Sequence, residues 1–254
     1  MYTMPPILMR LTIKTRLAIL SLFSLISLFA GLTALQGAEK KAQTREERFA
    51  PEVAKLAAEP APSPGGILMV GSSIFKRWTT AAVDFAPLPI TNRAFGGSRT
   101  VDQLLFFDQI VPSSKAALVV WYCGSNDVNG KVPPNEIVKN TSEWLTRTRA
   151  ALPDAVVVLL SVIRAPQKRD SGYLSQVDET NRGLKKLAES VPDVTYLDVN
   201  PALETPGGEA QLDCYIEDKL HLNAKGYAQM TSILRRVLDK EWKSPALTSA
   251  ATKS

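Results

Sequence analysis

The 254-residue chain contains a single histidine and two cysteines. A structural zinc site takes about four nitrogen or sulfur ligands at short spacings, and these three residues, scattered along the sequence, do not supply them. Cys123 and Cys214 are equally too few for a disulfide framework. Each reads as a small buried residue, so free thiols are expected. Basic runs interleaved with aromatics are also missing. The formal net charge of +5 falls to +2 once Arg10, Lys14 and Arg16 of the N-terminal segment are set aside, which leaves no electrostatic footprint for DNA or RNA. There is no G-x-S-x-G elbow, Walker loop, G-x-G-x-x-G or H-E-x-x-H, and no internal repeat.

What is present begins with an export pattern. Residues 1–38 carry those three basic residues and no acid, and residues 17–35 are apolar apart from Ser, Thr and Gly. The apolar stretch is just long enough to cross a bilayer. Cleavage near Ala38 is expected, with retention as an N-terminal anchor as the alternative, and no cysteine follows to take a lipid. The remainder is expected outside the cytoplasm, periplasmic or secreted, and at a membrane only if residues 17–35 are kept.

With 45% of residues apolar, the chain can fill one α/β core of ordinary size. Residues 39–66 read as an arm and linker, with a helix over 45–58 and a turn-rich stretch over 59–66. Beyond them short apolar runs alternate with amphipathic ones. Strands are expected at 67–70, 90–93, 117–122, 155–162 and 194–199, and helices at 101–110, 135–151, 173–190 and 224–242, the last capped by Asn223. All strands but the second lack apolar–polar alternation, as strands covered on both faces should. The expected architecture is a three-layer α/β/α sandwich around a five-stranded parallel sheet, spanning residues 67–242, with a disordered tail at 243–254. In such sheets ligands bind beyond the carboxyl ends of the strands.

Four short blocks fall at that edge. Strand one runs into Gly71-Ser72-Ser73, which delivers a hydroxyl where a short helix can begin, although a serine there usually caps a helix. After strand two, Gly96-Gly97 lets the backbone approach a ligand closely and aim an N–H at developing negative charge, although paired glycines also make an ordinary tight turn. After strand three, Asn126 offers a side-chain amide where Asn commonly serves a turn. Before the last helix, Asp218 precedes His221 by three residues, close enough to hold one ring nitrogen while the other faces a serine. Each signal is weak alone. Their coincidence at one edge is much stronger.

On these blocks, and on His221-Leu222-Asn223-Ala224-Lys225-Gly226-Tyr227 leading into the final helix, the chain resembles the SGNH or GDSL hydrolases, in the branch whose first block reads Gly-Ser-Ser. The resemblance covers residues 45–238 and implies a flavodoxin-like sandwich. It implies Ser73 as nucleophile, Asp218 and His221 as its acid–base partners, and an oxyanion hole formed by Ser73, Gly97 and Asn126. It implies no cofactor and no metal. Ser72 stands where the namesake motif has Asp, which weakens any substrate analogy with the Asp-bearing lipases.

The expected function is hydrolysis of short-chain carboxylic esters through an acyl-enzyme on Ser73, with a small-molecule or polysaccharide ester, acetylated carbohydrate included, as substrate. Short acyl groups are expected because no long apolar insertion could form a lid. Two alternatives stay open: an acetyltransferase using the same triad, and a catalytically silent binding module. Residues 164–171, with Pro166, Lys168 and Arg169, are a candidate rim of the site, and a solvated loop is the favoured reading there.

Overall fold

The computed structural model describes residues 43–60 and 62–243. The expected export segment, residues 1–38, and residues 244–254 of the expected tail lie outside them. The first helix among the described residues, α1 (Arg45–Ala58), starts at a capping box. The Thr44 hydroxyl accepts from the Glu47 N–H at 3.1 Å, and the Glu47 carboxylate accepts from the Thr44 N–H at 2.8 Å. Its Phe49 and Val53 are buried.

Among the described residues, five strands form one sheet: β1 (Ile67–Gly71), β2 (Ile90–Asn92), β3 (Leu118–Tyr122), β4 (Val156–Leu160) and β5 (Val194–Leu197). Their order is β2-β1-β3-β4-β5, with every neighbouring pair parallel. The chain reverses its direction of winding between β1 and β3, and the carboxyl ends of these two strands flank the crevice where such sheets bind ligands. The central strands are buried on both faces, which explains their unbroken apolar sequences.

Alternate side chains feed two cores. On one face Met69, Val120 and Val158 pack with Tyr227, Met230, Leu234 and Leu238 of the last helix, α11 (Ala224–Glu241). Asn223 caps that helix by accepting from the Gly226 N–H at 3.1 Å. On the other face Leu68, Val70, Trp121 and Leu159 pack with Phe49, Trp144 and Leu184. Cys123 and Cys214 belong to opposite cores, and both are free and buried, as expected.

Three expected elements differ, one of them the strand at 194–199, which ends at Leu197. The helix at 101–110 divides into Thr100–Leu105 and Phe107–Ile110. Consecutive residues of a helix point about 100° apart, yet Phe106 and Phe107 both go inward, to Phe95 and Trp144 at centroid distances of 5.9 and 6.0 Å. The break at Phe106 accommodates both. The strand at 155–162 ends at Leu160, because the Asn181 side chain occupies the Val162 backbone: its Oδ1 accepts from Val162 N–H at 2.7 Å and its Nδ2 donates to Val162 O at 2.9 Å.

Candidate active site

Gly71 ends β1 with φ +142°, and a Cβ there would stand 1.9 Å from the Tyr122 carbonyl oxygen on β3. Only glycine allows that approach. Ser72 then donates its N–H to the same carbonyl at 3.1 Å, and Ser73 opens the one-turn helix α2 (Ser73–Lys76). Ile74 and Phe75 are buried under this turn. Tyr227 Oη donates to Ile74 O at 2.8 Å, and Asn92 Nδ2 donates to Phe75 O at 2.6 Å. The nucleophile candidate is thereby held by core packing on one side and by hydrogen bonds from two distant elements.

The turn after β2 is tied back to Gly71. The Gly71 carbonyl accepts from Phe95 N–H at 3.1 Å and from Gln103 Nε2 at 2.9 Å, and Gln103 Nε2 also donates to Ser98 Oγ at 2.9 Å. Gly97 takes φ +78° in this turn. Among the described residues, no hydrogen bond occupies the N–H of Ser73 or of Gly97.

After β3, helix α6 (Ser125–Asn129; the two short helices named above are α4 and α5, and Ala81–Asp84 is α3) presents Asn126, whose Nδ2 donates to Ser98 O at 3.0 Å. One amide hydrogen is thus used to aim the other. The neighbouring Asp127 is buried, and its carboxylate accepts from Thr100 N–H at 3.1 Å and from Thr100 Oγ1 at 2.7 Å. Burial raises its pKa against the lowering effect of those bonds.

Asp218 and His221 lie on the loop before α11. A short antiparallel bridge pairs Tyr215 with Leu222, and Ile216 N–H donates to His221 O at 2.9 Å. Asp218 Oδ1 accepts from the N–H groups of Leu220 at 3.0 Å and His221 at 2.9 Å, while its Oδ2 lies 2.6 Å from His221 Nδ1. Desolvation opposes ionisation of Asp218, but the ring and backbone bonds from His221 and the bond from Leu220 together outweigh it and hold the carboxyl at about 2. His221 Nε2 lies 2.8 Å from Ser73 Oγ. The structure therefore brings Ser73, His221 and Asp218 into one hydrogen-bonded line, and sets Gly97 and Asn126 on the turns that flank Ser73. Such a line can carry a proton away from the serine and return it to a leaving group.

Residues 164–171 differ from the solvated loop expected of them. They include helix α8 (Pro166–Asp170; Pro134–Ala151 being α7), in which Lys168 is fully buried. Its Nζ donates to Ser125 O at 2.8 Å and to Asn129 Oδ1 at 2.6 Å, gripping both ends of α6. Desolvation lowers the Lys168 pKa to about 8, against the pull of Asp127. Gln167 N–H donates to Lys219 O at 2.9 Å, so α8 touches the histidine loop as well. Local sequence pattern does not reveal Gln103 and Asp127 as supports of the site, and it reads the buried Lys168 as part of a solvated loop. Asp127, adjacent to Asn126, was the only one of these with a local signal.

The chain matches the GDSL-like Lipase/Acylhydrolase family over residues 70–229. No curated protein matches it. Among solved structures, a protein from Streptococcus pneumoniae superposes with a TM-score of 0.67 at 22% identity, covering 82% of this chain and 99% of that one. A GDSL-like lipase from Bacteroides thetaiotaomicron superposes at 0.64 and 22% identity, covering 77% and 98%. A carbohydrate esterase family 3 protein from Talaromyces cellulolyticus superposes at 0.54 and 18% identity, covering 69% and 96%. At these identities the likeness speaks for the fold, while the family match spans well over half of the chain. The chain belongs to the GDSL-like lipase/acylhydrolase family and is a hydrolase of the esterase kind.

Proposed function

We propose that the protein is a serine esterase that hydrolyses short-chain carboxylic esters, acetyl groups on carbohydrates among them, through an acyl-enzyme on Ser73. The observation that carries this reading is the unbroken line from Ser73 Oγ through His221 to Asp218, with contacts of 2.8 and 2.6 Å.

In this reading Ser73 Oγ attacks the ester carbonyl carbon while His221 Nε2 takes the hydroxyl proton. Asp218 fixes the ring with its proton on Nδ1 and balances the imidazolium charge. The carbonyl oxygen becomes anionic and is met by the N–H groups of Ser73 and Gly97 and by the second amide hydrogen of Asn126. Collapse of the tetrahedral species expels the alcohol, which receives the proton from His221. Water then gives its proton to His221, attacks the acyl-enzyme, and releases the acid and free Ser73.

The absence of a lid-forming insertion in the sequence supports a short acyl group, and the fold shared with a carbohydrate esterase supports acetylated carbohydrate as a substrate. The export pattern of residues 1–38 supports action outside the cytoplasm. The test is a series of 4-nitrophenyl esters from acetyl to lauroyl, followed by acetate release from acetylated polysaccharides, each with wild type and Ser73→Ala. Turnover highest on acetyl to butyryl esters and dependent on Ser73 is expected. Faster cleavage of the lauroyl ester would overturn the short-chain assignment, and activity retained by Ser73→Ala would overturn the mechanism.

A further inference from the structure

The Gly96–Gly97 turn has a neighbour that the hydrolytic reading leaves unused, helix α1. Besides its capping box and its buried Phe49 and Val53, α1 is fixed by Arg45, whose guanidinium holds the buried Asp102 carboxylate through Nε and Nη2. With that face fixed, Arg48 and Glu52, one turn apart, are carried to the glycine turn. Glu52 Oε1 accepts from Gly96 N–H at 3.4 Å and pairs with Lys76 of α2 at 2.8 Å. Arg48 Nη2 comes within 2.9 Å of the point where a Cβ on Gly97 would stand. The absence of a side chain on Gly97 is what admits the guanidinium.

The cations on either side, Arg45 and Lys76, are each matched by a carboxylate. Arg48 is not. Among the described residues its guanidinium has no hydrogen bond or ion pair, and it lies over the Phe49 ring, whose centroid is 4.9 Å from Cζ. A planar fork of donors stacked on an anchored aromatic and left unpaired beside the Gly97 turn is suited to two-point binding of a carboxylate.

We propose that Arg48 is a specificity-determining residue that binds an anionic group of the substrate, so that the preferred ester carries a carboxylate within a few bonds of its scissile carbonyl. This rests on the Ser73 and Gly97 reading above. The competing role for Arg48, a general field on the oxyanion, would be weakened by its exposure to solvent, which screens charge at a distance more than it screens a direct pair.

The experiment compares kcat/KM for two pairs of esters that differ in one charge. The first pair is 4-nitrophenyl butyrate and the 4-nitrophenyl monoester of succinate, with the anion on the acyl side. The second is an acetylated neutral sugar and the corresponding acetylated uronic acid, with the anion on the alcohol side. In at least one pair, Arg48→Met should lower the charged-to-neutral ratio about tenfold, the worth of one charge-assisted contact, and Arg48→Glu should lower it further. Ratios within about twofold of wild type in both pairs, a spread that an exposed pair of no consequence would give, would overturn the proposal. So would an equal loss on charged and neutral esters, the mark of a field on the oxyanion. Ser73→Ala run beside them separates the two levels: Ser73-dependent hydrolysis without discrimination by Arg48 sinks this inference alone, whereas hydrolysis by Ser73→Ala sinks the reading beneath it.

Discussion

Ser73 and Asn126 stand on short helices and Gly97 on a turn, each leaving the sheet directly, whereas Asp218 and His221 stand on a loop that joins the sheet edge only through neighbouring loops and helices. The first region is closed by buried polar groups: the Gly71 carbonyl with its bonds from Phe95 and Gln103, Asp127 on Thr100, and Lys168 on α6. The second is open. Asp218 is 42% exposed and His221 13%, and Lys219 between them takes φ +56°. The two aspartates express the difference, since burial raises the pKa of Asp127 while hydrogen bonds from His221 and Leu220 hold Asp218 at about 2. Buried charge is used where shape must be fixed. Exposed charge stands where, in the proposed mechanism, a proton must come and go.

Removing either end of the proposed proton path should have the largest effect. Ser73→Ala or His221→Ala should lower kcat on the order of ten thousand-fold, and the double variant should be little worse, because the two act as one unit. Steady-state kinetics on 4-nitrophenyl acetate check this. Asn126→Ala leaves the path intact and removes one donor of the proposed oxyanion hole, so kcat should fall roughly a hundred- to a thousand-fold with KM little changed.

Lys168 gives a test by pH. Its folded pKa, about 8, lies below the unfolded value, so the unfolded chain binds more protons between the two and burial of the charge is penalised below about pH 8. That penalty disappears as pH rises toward the unfolded value. Urea denaturation should show wild type gaining on the order of 2 kcal/mol relative to Lys168→Met between pH 7 and 10. No change in that difference would mean that the Lys168 amine is not desolvated in the folded protein.

The smallest effects sharpen the contrast between the aspartates. Asp127→Ala strands the Thr100 donors and should cost about 1–3 kcal/mol of stability. Asp218→Ala should cost about 1 kcal/mol or less while abolishing most turnover. Thermal melts beside activity assays check both, and equal destabilisation by the two would erase the distinction.

The legibility of the sequence follows the same division. Strands buried on both faces announce themselves as Val- and Leu-rich runs, and the residues that form the hydrogen-bonded line, Ser73, Asp218 and His221, lie in short local blocks. What local pattern does not carry is a partner distant in sequence. The end of β4 depends on Asn181, the break at Phe106 depends on Trp144 and Phe95, and the burial of Lys168 depends on α6 lying across from it. A basic residue after a strand reads as solvated until the groups opposite it are known. The arm at 45–58 likewise reads as packing alone, because only the fold brings Arg48 to Gly97.

The proposed mechanism requires a covalent intermediate on Ser73. Wild-type protein mixed with 4-nitrophenyl acetate, quenched in acid within the first turnovers and measured by intact and peptide mass spectrometry, should carry one acetyl group on the peptide containing Ser73. His221→Ala should accumulate almost none. An acetyl group mapped to another residue, or full turnover by Ser73→Ala with no acylated species, would contradict the account.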